Sequence, residues 1–483
     1  MKWITPKDGF STGIEVFNCI AKEKVPLILR RKHLATLYTC GPTVYDDTHI
    51  GHASTYVKLD TIRRILNKHF GVRVFSVMNI TDIDDKIIRR SQEMRCSWEA
   101  VARENEEKFW RDLRALGVVQ PHVKMRVSEN IEEIVKFISR LEKKGLAYEA
   151  TDNSVYFKLK DYRGYGKLQK LSQEADKNAD FALWKAAKEG EPFWESPWGP
   201  GRPGWHIECS AMASKILGST IDIHAGGIDL RFPHHENEEA QSCAYHGCER
   251  WVNYWLHTGH LKLSGDAQKM SKSLKNTISV EELLSKHSPD HFRMLCLLTN
   301  YRREMVFSEE AMQMARKVLQ RFQNFLQEME VILSGSRQIN DFNQQDIFEK
   351  YSKATEDVDQ HLKDDFNMAS ALQTLQEFIS FVSKAINSAP KDGRSSPEIG
   401  ILQLSKEFVE DTLSNMGFSL PGSSADAHSE SSEDAVMEKI LEIRQRLRKD
   451  RNFSAADVIR DGLREAGLEI KDHGEKSSWS RRR

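Results

Sequence analysis

The sequence predicts an α/β fold: a parallel sheet built from strand–helix–strand units, then a helical block, then a small basic module. Three features carry that prediction. Between Leu34 and Ile223, short apolar runs alternate with amphipathic stretches. Beyond about residue 305 the apolar spacing becomes purely helical. A Ser/Asp/Glu-rich stretch without an apolar stripe, Pro421–Ala435, then separates the C-terminal residues from the rest.

Leu34–Cys40 (LATLYTC) reads as a buried strand because Gly41-Pro42 stops it. His52–Phe70 carries Val57, Ile62, Ile65 and Leu66 on an approximate helical stripe, and Gly71 closes it. Val72–Ile80 (VRVFSVMNI) is the next strand. Strand, helix and strand so close in sequence make a βαβ unit, with a right-handed crossover and ligands expected at the carboxyl ends of the strands. Cys40 and Thr81 fall there. Residues 120–200 are irregular, with Gly164, Gly166 and the Trp/Pro/Gly cluster Pro192–Gly204. They read as an insertion in a domain spanning about 25–300. Ser308 serves as N-cap to a helix in which Ala311, Ala315, Val318, Phe322, Phe325 and Met329 follow helical spacing. Further helices through Tyr351–Asn387 and Ile401–Met416 complete a bundle over about 301–420. Residues 421–435 are a flexible linker. Residues 436–483 hold 13 Lys+Arg against 9 Asp+Glu and end in Arg481-Arg482-Arg483.

Composition narrows the function. The 483 residues carry 70 Lys+Arg against 71 Asp+Glu, a formal net charge of −1, so a nucleic acid would have to be bound by a local basic patch. No apolar run approaches the ~18 residues of a membrane span, and no membrane partner is expected. Seven scattered cysteines, an odd number, make no disulfide framework and suit a reducing compartment. Met1–Gly13 has neither the apolar core of a secretory signal nor the Arg-rich amphipathic helix of a mitochondrial presequence.

Three constellations carry chemistry. His49-Ile50-Gly51-His52 stands at the start of the first helix, where two imidazoles join free backbone N–H groups and the positive end of the helix dipole: a site for phosphate. Gly51 admits a ligand close to the backbone. Taken alone, the tetrapeptide is equally a surface histidine pair at a helix cap. Lys269-Met270-Ser271-Lys272-Ser273 can close over a polyphosphate and neutralise developing charge, although an isolated lysine–serine run is more often a solvated loop. Finally, Cys40, Cys209, His234 and Glu238 offer two thiolates, an imidazole and a carboxylate, a donor set that suits Zn²⁺. If Pro233 begins a helix, His234 and Glu238 share a face, but His235 and Glu239 offer the same spacing.

The ordered pair HIGH and KMSKS is the signature of class I aminoacyl-tRNA synthetases. The stretches TCGPTVYDDTHIGHA (39–53), NITDIDDKIIRR (79–90), GRPGWHIECSAM (201–212), FPHHENEEAQS (232–242) and KMSKSLKN (269–276) resemble cysteinyl-tRNA synthetase, over roughly residues 25–420. The resemblance implies a Rossmann-like catalytic domain with an inserted connective segment, an anticodon-binding helical bundle and a small C-terminal module. It implies one zinc ion per chain, held by Cys40, Cys209, His234 and Glu238, which selects the substrate thiolate over serine's hydroxyl without an editing domain. It further implies catalysis by His49, His52, Lys269 and Lys272. ATP, with Mg²⁺, would be held by these four with Gly51 and Ser271, and L-cysteine by Gly41, Thr81, Trp205, His224 and Asp229. The remaining cysteines, Cys19, Cys96, Cys243, Cys248 and Cys296, are expected to be structural thiols.

The expected activity is ligation of cysteine to tRNA-Cys through cysteinyl-adenylate, by a monomer. Asp290-His291-Phe292-Arg293 departs in its central pair from the Asp-Ala-Leu-Arg of related enzymes, while Asp365-Phe366-Asn367 is similar to the family. In the tail, Arg444, Arg446, Arg448, Lys449 and Arg451 offer phosphate contacts. Size, the FALWKAAK segment (181–188) and Lys275 are most like the animal mitochondrial form. The mitochondrial matrix is therefore the expected location, with the cytoplasm as the alternative. The resemblance also raises cysteine persulfide synthesis with pyridoxal phosphate on Lys86, Lys269 and Lys272, with Arg89 replacing a family lysine. Two rivals are a ligase that passes cysteine to an amino-sugar, which the helical block disfavours, and a non-catalytic binding protein, which the intact signature residues disfavour.

Overall fold

The computed structural model describes residues 3–6, 8–170, 180–264, 277–337, 339, 342–387, 399–419, 430–450, 452–465, 468–473 and 476–481. They fall into two compact units, Met1–Phe418 and Ser419–Arg483.

The chain opens on an antiparallel hairpin, β1 (Phe10–Asn18) and β2 (Glu23–Leu29), absent from the sequence reading. The central sheet holds five parallel strands: β3 (Leu34–Thr39), β4 (Arg73–Ile80), β5 (Val123–Arg126), β10 (Ile221–Gly227) and β11 (Val252–Thr258). Their order is β11-β10-β3-β4-β5, so the direction of winding reverses between β3 and β10. Asp222 clips these two strands together. Its carboxylate accepts the Thr36 N–H at 2.9 Å and the Thr36 hydroxyl at 2.8 Å.

Helix α1 (Ile50–Arg64) joins β3 to β4, and α2 (Asp85–Met94) and α3 (Trp98–Ala115) join β4 to β5. The expected helix His52–Phe70 ends in a wider turn, Ile65–His69, before Gly71, whose φ of +64° breaks it. After α4 (Ile131–Lys143), the strands β6 (Ala147–Glu149), β7 (Val155–Phe157), β8 (Phe181–Ala186) and β9 (Gly201–Pro203) form a separate antiparallel sheet. The insertion expected over about 120–200 therefore starts later, because Val123–Arg126 pairs with Val77–Ile80 as the edge of the central sheet. Its short VKMR pattern gives no periodicity by which to assign it. Helix α5 (Trp205–Leu217) leads into β10, and α6 (Glu236–His246) into β11.

Strand β12 (Leu261–Leu263) pairs with β13 (Met305–Phe307) around α7 (Val280–Lys286) and α8 (Pro289–Leu297). Helices α9 (Glu309–Leu333), α10 (Gln344–Lys363), α11 (Met368–Asn387) and α12 (Gly400–Asn415) pack as a bundle. Ser308 caps α9 by accepting the Ala311 N–H at 3.1 Å. The His291 departure has a local cause: His291 and Ser288 form a reciprocal capping box at the start of α8. Arg293, 1% exposed, donates to Thr61 Oγ1, Met416 O and Gly117 O, and pairs with Asp60 at 2.9 Å, tying α8 to α1, α3 and the end of α12.

In the second unit, α13 (Glu430–Lys449) and α14 (Phe453–Glu465) precede the hairpin of β14 (Leu468–His473) and β15 (Lys476–Arg481). Helix α13 begins inside the expected linker, whose residues 421–429 lie outside the described residues. Arg444 is buried, which removes it from the expected phosphate contacts; Arg451 lies outside the described residues. Among the described residues, no helix is long and apolar enough to cross a membrane.

Candidate functional site

A cleft opens beyond the carboxyl ends of β3 and β10, where the winding reverses. On one wall, His49 is the N-cap of α1. Its Nδ1 accepts the N–H groups of Gly51 at 3.1 Å and His52 at 3.4 Å, and the Ile50 N–H goes to Ile278 O at 2.9 Å. This corrects the expectation of free N–H groups at the helix start: they are already bonded. An anion here meets the dipole and side chains. Because His49 Nδ1 accepts, a neutral His49 carries its proton on Nε2. The His49 and His52 rings stack at 3.9 Å, and Gly51 lines the cleft with them.

Lys269, Ser271 and Lys272 lie outside the described residues. The chain on both sides of them is at the cleft. His260 and Leu261 line it before the gap. After it, the Val280 N–H reaches Thr48 O at 3.1 Å, and Ser279 caps α7.

Beneath the cleft, Cys40, Cys209, His234 and Glu238 are all buried, with one ligand atom from each within 4.8 Å of the others. The Cys40 and Cys209 sulfurs are 3.8 Å apart. Two thiolates on a tetrahedral ion with Zn–S bonds of ~2.3 Å would be separated by ~3.8 Å, so the donors fit zinc in kind and in spacing. Cys40 Sγ lies 3.4 Å and His234 Nε2 3.0 Å from Glu238 Oε1. A second set, Cys40, His224, His235 and Glu238, is equally compact. Its histidines also touch the first set from behind: His224 Nε2 holds Glu238 Oε2 at 2.9 Å, and His235 puts Nε2 3.4 Å from Cys40 Sγ while its Nδ1 faces His257 Nε2 at 2.9 Å. Those are the places of outer-shell partners that orient ligands.

The donors divide electrostatically: burial pushes the Cys40 thiol well up, whereas Cys209 and Glu238 are drawn toward their charged forms. Burial opposes ionisation of Glu238, but His224 and His234 outweigh it and bring the carboxyl down to about 2. Burial likewise opposes ionisation of Cys209, while hydrogen bonds from Cys40 and His234 bring its thiol down to about 6. Burial pulls His206 down to about 3, leaving it a neutral partner for His234, Nδ1 to Nδ1 at 2.8 Å.

Of the five residues expected around the amino acid, Gly41, Trp205 and Asp229 line the same cleft, while Thr81 and His224 are buried and do not line it. Gly41 takes a close approach: a Cβ there would sit 1.7 Å from Asn79 O, and its N–H goes to Asn79 Oδ1 at 2.9 Å. Gly41→Ala is expected to destabilise the protein by about 1–3 kcal/mol, read as a lower unfolding midpoint; an unchanged midpoint would mean that the strand ends relax freely. Thr81 is buried and donates to Glu208 Oε2 at 3.1 Å. Trp205 is no core aromatic: it is 39% exposed and stacks on His234 at 4.2 Å. His224 is fully buried against the Trp255 ring, 4.4 Å away. Asp229 lines the cleft near His260.

Sequence reasoning missed the supporting layer of Asn79, His206, Glu208 and His257, and offered His235 only as an alternative donor. Most lie inside the stretches quoted above, but only their neighbours in space, not their spacing, mark them.

The family pattern described as "tRNA synthetases class I (C) catalytic domain" matches residues 27–317. The chain is 38% identical to a protein named probable cysteine–tRNA ligase, mitochondrial, of Xenopus tropicalis, over 98% of this chain and 90% of that one. It is 41% identical to a cysteine–tRNA ligase of Thermococcus onnurineus, over 97% of this chain and 99% of that one. Among solved structures it is similar in fold to Mycobacterium tuberculosis methionyl-tRNA synthetase bound by methionyl-adenylate, with a TM-score of 0.60 at 14% identity, over 78% of this chain and 88% of that one.

Proposed function

The chain belongs to the cysteine–tRNA ligases of the class I aminoacyl-tRNA synthetases, and from that premise we propose how its own residues carry the reaction. The observation that carries the proposal is the buried quartet Cys40, Cys209, His234 and Glu238 below the His49–His52 cap. These four residues hold zinc. Bound there, zinc supplies a soft Lewis acid that prefers the thiolate of cysteine to the hydroxyl of serine. A hydrocarbon pocket alone separates such substrates by only about 1–3 kcal/mol. Trp205, stacked on His234, covers the amino acid, and Gly41, Thr81, His224 and Asp229 frame it.

ATP, with Mg²⁺, lies along the start of α1. His49, through Nε2–H, and His52 contact the phosphates. The cysteine carboxylate attacks the α-phosphorus in line, the bond to the β-phosphate bridging oxygen breaks, and pyrophosphate leaves. Lys272, supported by Lys269 and Ser271, neutralises the developing charge. A hydroxyl at the tRNA 3′ end then attacks the activated carbonyl and AMP leaves. Within the first unit, residues of about 25–300 perform the chemistry and the bundle of about 301–420 reads the anticodon of tRNA-Cys. Exposed Arg446 and Lys449 add backbone contacts.

Charging a tRNA-Cys transcript with labelled cysteine, with and without a zinc chelator, tests this. Chelator-sensitive charging is expected. A folded, zinc-loaded protein that makes adenylate but charges no tRNA would overturn the tRNA assignment. Lys272→Ala is expected to slow pyrophosphate exchange by ~10²–10³-fold with little change in the KM for cysteine; an unchanged rate would remove Lys272 from the mechanism. The mitochondrial name of the Xenopus relative favours the matrix as location, and the archaeal ligase keeps the cytoplasm as the second reading. A side activity in cysteine persulfide formation, with pyridoxal phosphate on Lys86, Lys269 or Lys272, is a second reading, and Lys86 lines the cleft.

A further inference from the structure

The end of α6 brings together two cysteines that the sequence left as structural thiols. Gly247 stands at φ +71°, and the N–H groups of Gly247 and Cys248 both reach Cys243 O, at 2.9 and 3.2 Å. In a helix cap closed this way, the two residues five apart are the ones whose side chains meet. Cys243 accordingly lies in the core beneath the cap, and Cys248 packs against that core. A disulfide needs its Cβ atoms within ~3.5–4.5 Å, and the cap sets these two side chains on the same side of the helix end.

The surroundings differ from those of an inert core thiol. Lys167 Nζ lies 3.5 Å from Cys243 Sγ and 3.1 Å from Glu239 Oε1, and Cys243 Sγ lies 3.2 Å from that same oxygen. Tyr162 packs against the same core. A cavity lined by Tyr162, Lys167, Glu239 and Glu249 opens on this side, apart from the catalytic cleft. Cys243 is buried at 3% exposure, while Cys248 is only half-buried. The neighbouring Cys243 favours the thiolate of Cys248.

We propose that Cys243 and Cys248 are an oxidisable pair, a modification site at which a hydroperoxide closes an intramolecular disulfide, separate from the zinc ligands. The Cys248 thiolate attacks the outer peroxide oxygen. The O–O bond breaks, and the departing oxygen takes up a proton and leaves as water, or as an alcohol from an organic hydroperoxide. Cys248 is left as a sulfenic acid. Cys243 sulfur then attacks Cys248 sulfur, the S–O bond breaks, and the hydroxide leaves with the Cys243 proton as water. Two thiols and one peroxide thus give one disulfide and two molecules of water.

The test uses the zinc-loaded full chain, so that Cys40 and Cys209 are masked. After hydrogen peroxide, the proteolytic peptide carrying both cysteines is expected to be lighter by two hydrogens and refractory to alkylation, and dithiothreitol restores both thiols. Cys243→Ser should leave Cys248 as a sulfenic acid that dimedone traps, and Cys248→Ser should yield no cross-link. The proposal is overturned if both thiols alkylate fully at a peroxide dose that oxidises the exposed Cys96. It is also overturned if the mapped bond joins either cysteine to another partner. The wild-type mapping stands by itself if the buried Cys243→Ser variant does not fold.

Discussion

Cys209→Ser is expected to give a protein that retains no zinc and forms cysteinyl-adenylate at least ~10³-fold more slowly, the equivalent of the several kcal/mol that a Lewis acid supplies. Cys209 supplies one of the two sulfurs set 3.8 Å apart, and hydroxyl oxygen is a poor substitute for thiolate on zinc. The preference for cysteine over serine should fall with the rate, because only the pocket remains to discriminate. Metal content and pyrophosphate exchange with each amino acid read both effects. His235→Ala separates the two possible donor sets. As an outer partner, His235 should cost ~10–100-fold in zinc affinity when removed. If Cys209→Ser kept its zinc and His235→Ala lost it, the ion would belong to Cys40, His224, His235 and Glu238 instead.

Arg293→Gln is expected to destabilise the first unit by about 3–5 kcal/mol, the range for breaking a buried ion pair from one side. The loss falls on Asp60, whose carboxylate would keep only Arg64 and the Val119 N–H. The Leu116 carbonyl loses this donor as well, while Gly117 O keeps Arg64 and Met416 O keeps Thr61. Arg293→Lys should recover a small part, because one ammonium cannot serve a fork of acceptors on three elements. Chemical denaturation of the chain reads both variants, and a midpoint for Arg293→Gln within error of the wild type would show that solvent or Arg64 compensates.

What could be read from the sequence follows the physics of each element. Leu34–Cys40 and Val72–Ile80 were visible because strands buried on both faces are continuous apolar runs with a glycine at an end. Val123–Arg126 was not, because four residues at a sheet edge carry too little pattern. The hairpin Phe10–Leu29 was missed as well: its buried residues, such as Ile14, Val16 and Leu27, alternate with exposed ones only over part of each strand. At the site, the four zinc donors and Trp205 were reachable through their motifs. The bonded state of the α1 N-terminus was not, since the Ile50 N–H finds its acceptor at Ile278, far along the chain. His206 and His257 were hidden for the same reason, and His235 was visible only as an alternative donor: an outer-layer histidine is defined by what it touches across the fold.

The strand order has a consequence for how the chain is made. Strands β3, β4 and β5 can pair once about the first 130 residues exist, but β3 waits for β10: Thr36 and Asp222 are 186 residues apart. During synthesis from the N-terminus, an apolar strand edge that will lie in the middle of the finished sheet stays unpaired while the whole insertion is translated. Such an edge invites pairing with other chains. Cys40 waits with it, since Cys209, His234 and Glu238 arrive last. Zinc capture therefore reports the pairing of β3 with β10, and a nascent chain stalled before residue 221 should expose the β3 edge to chaperones and be unable to assemble the quartet.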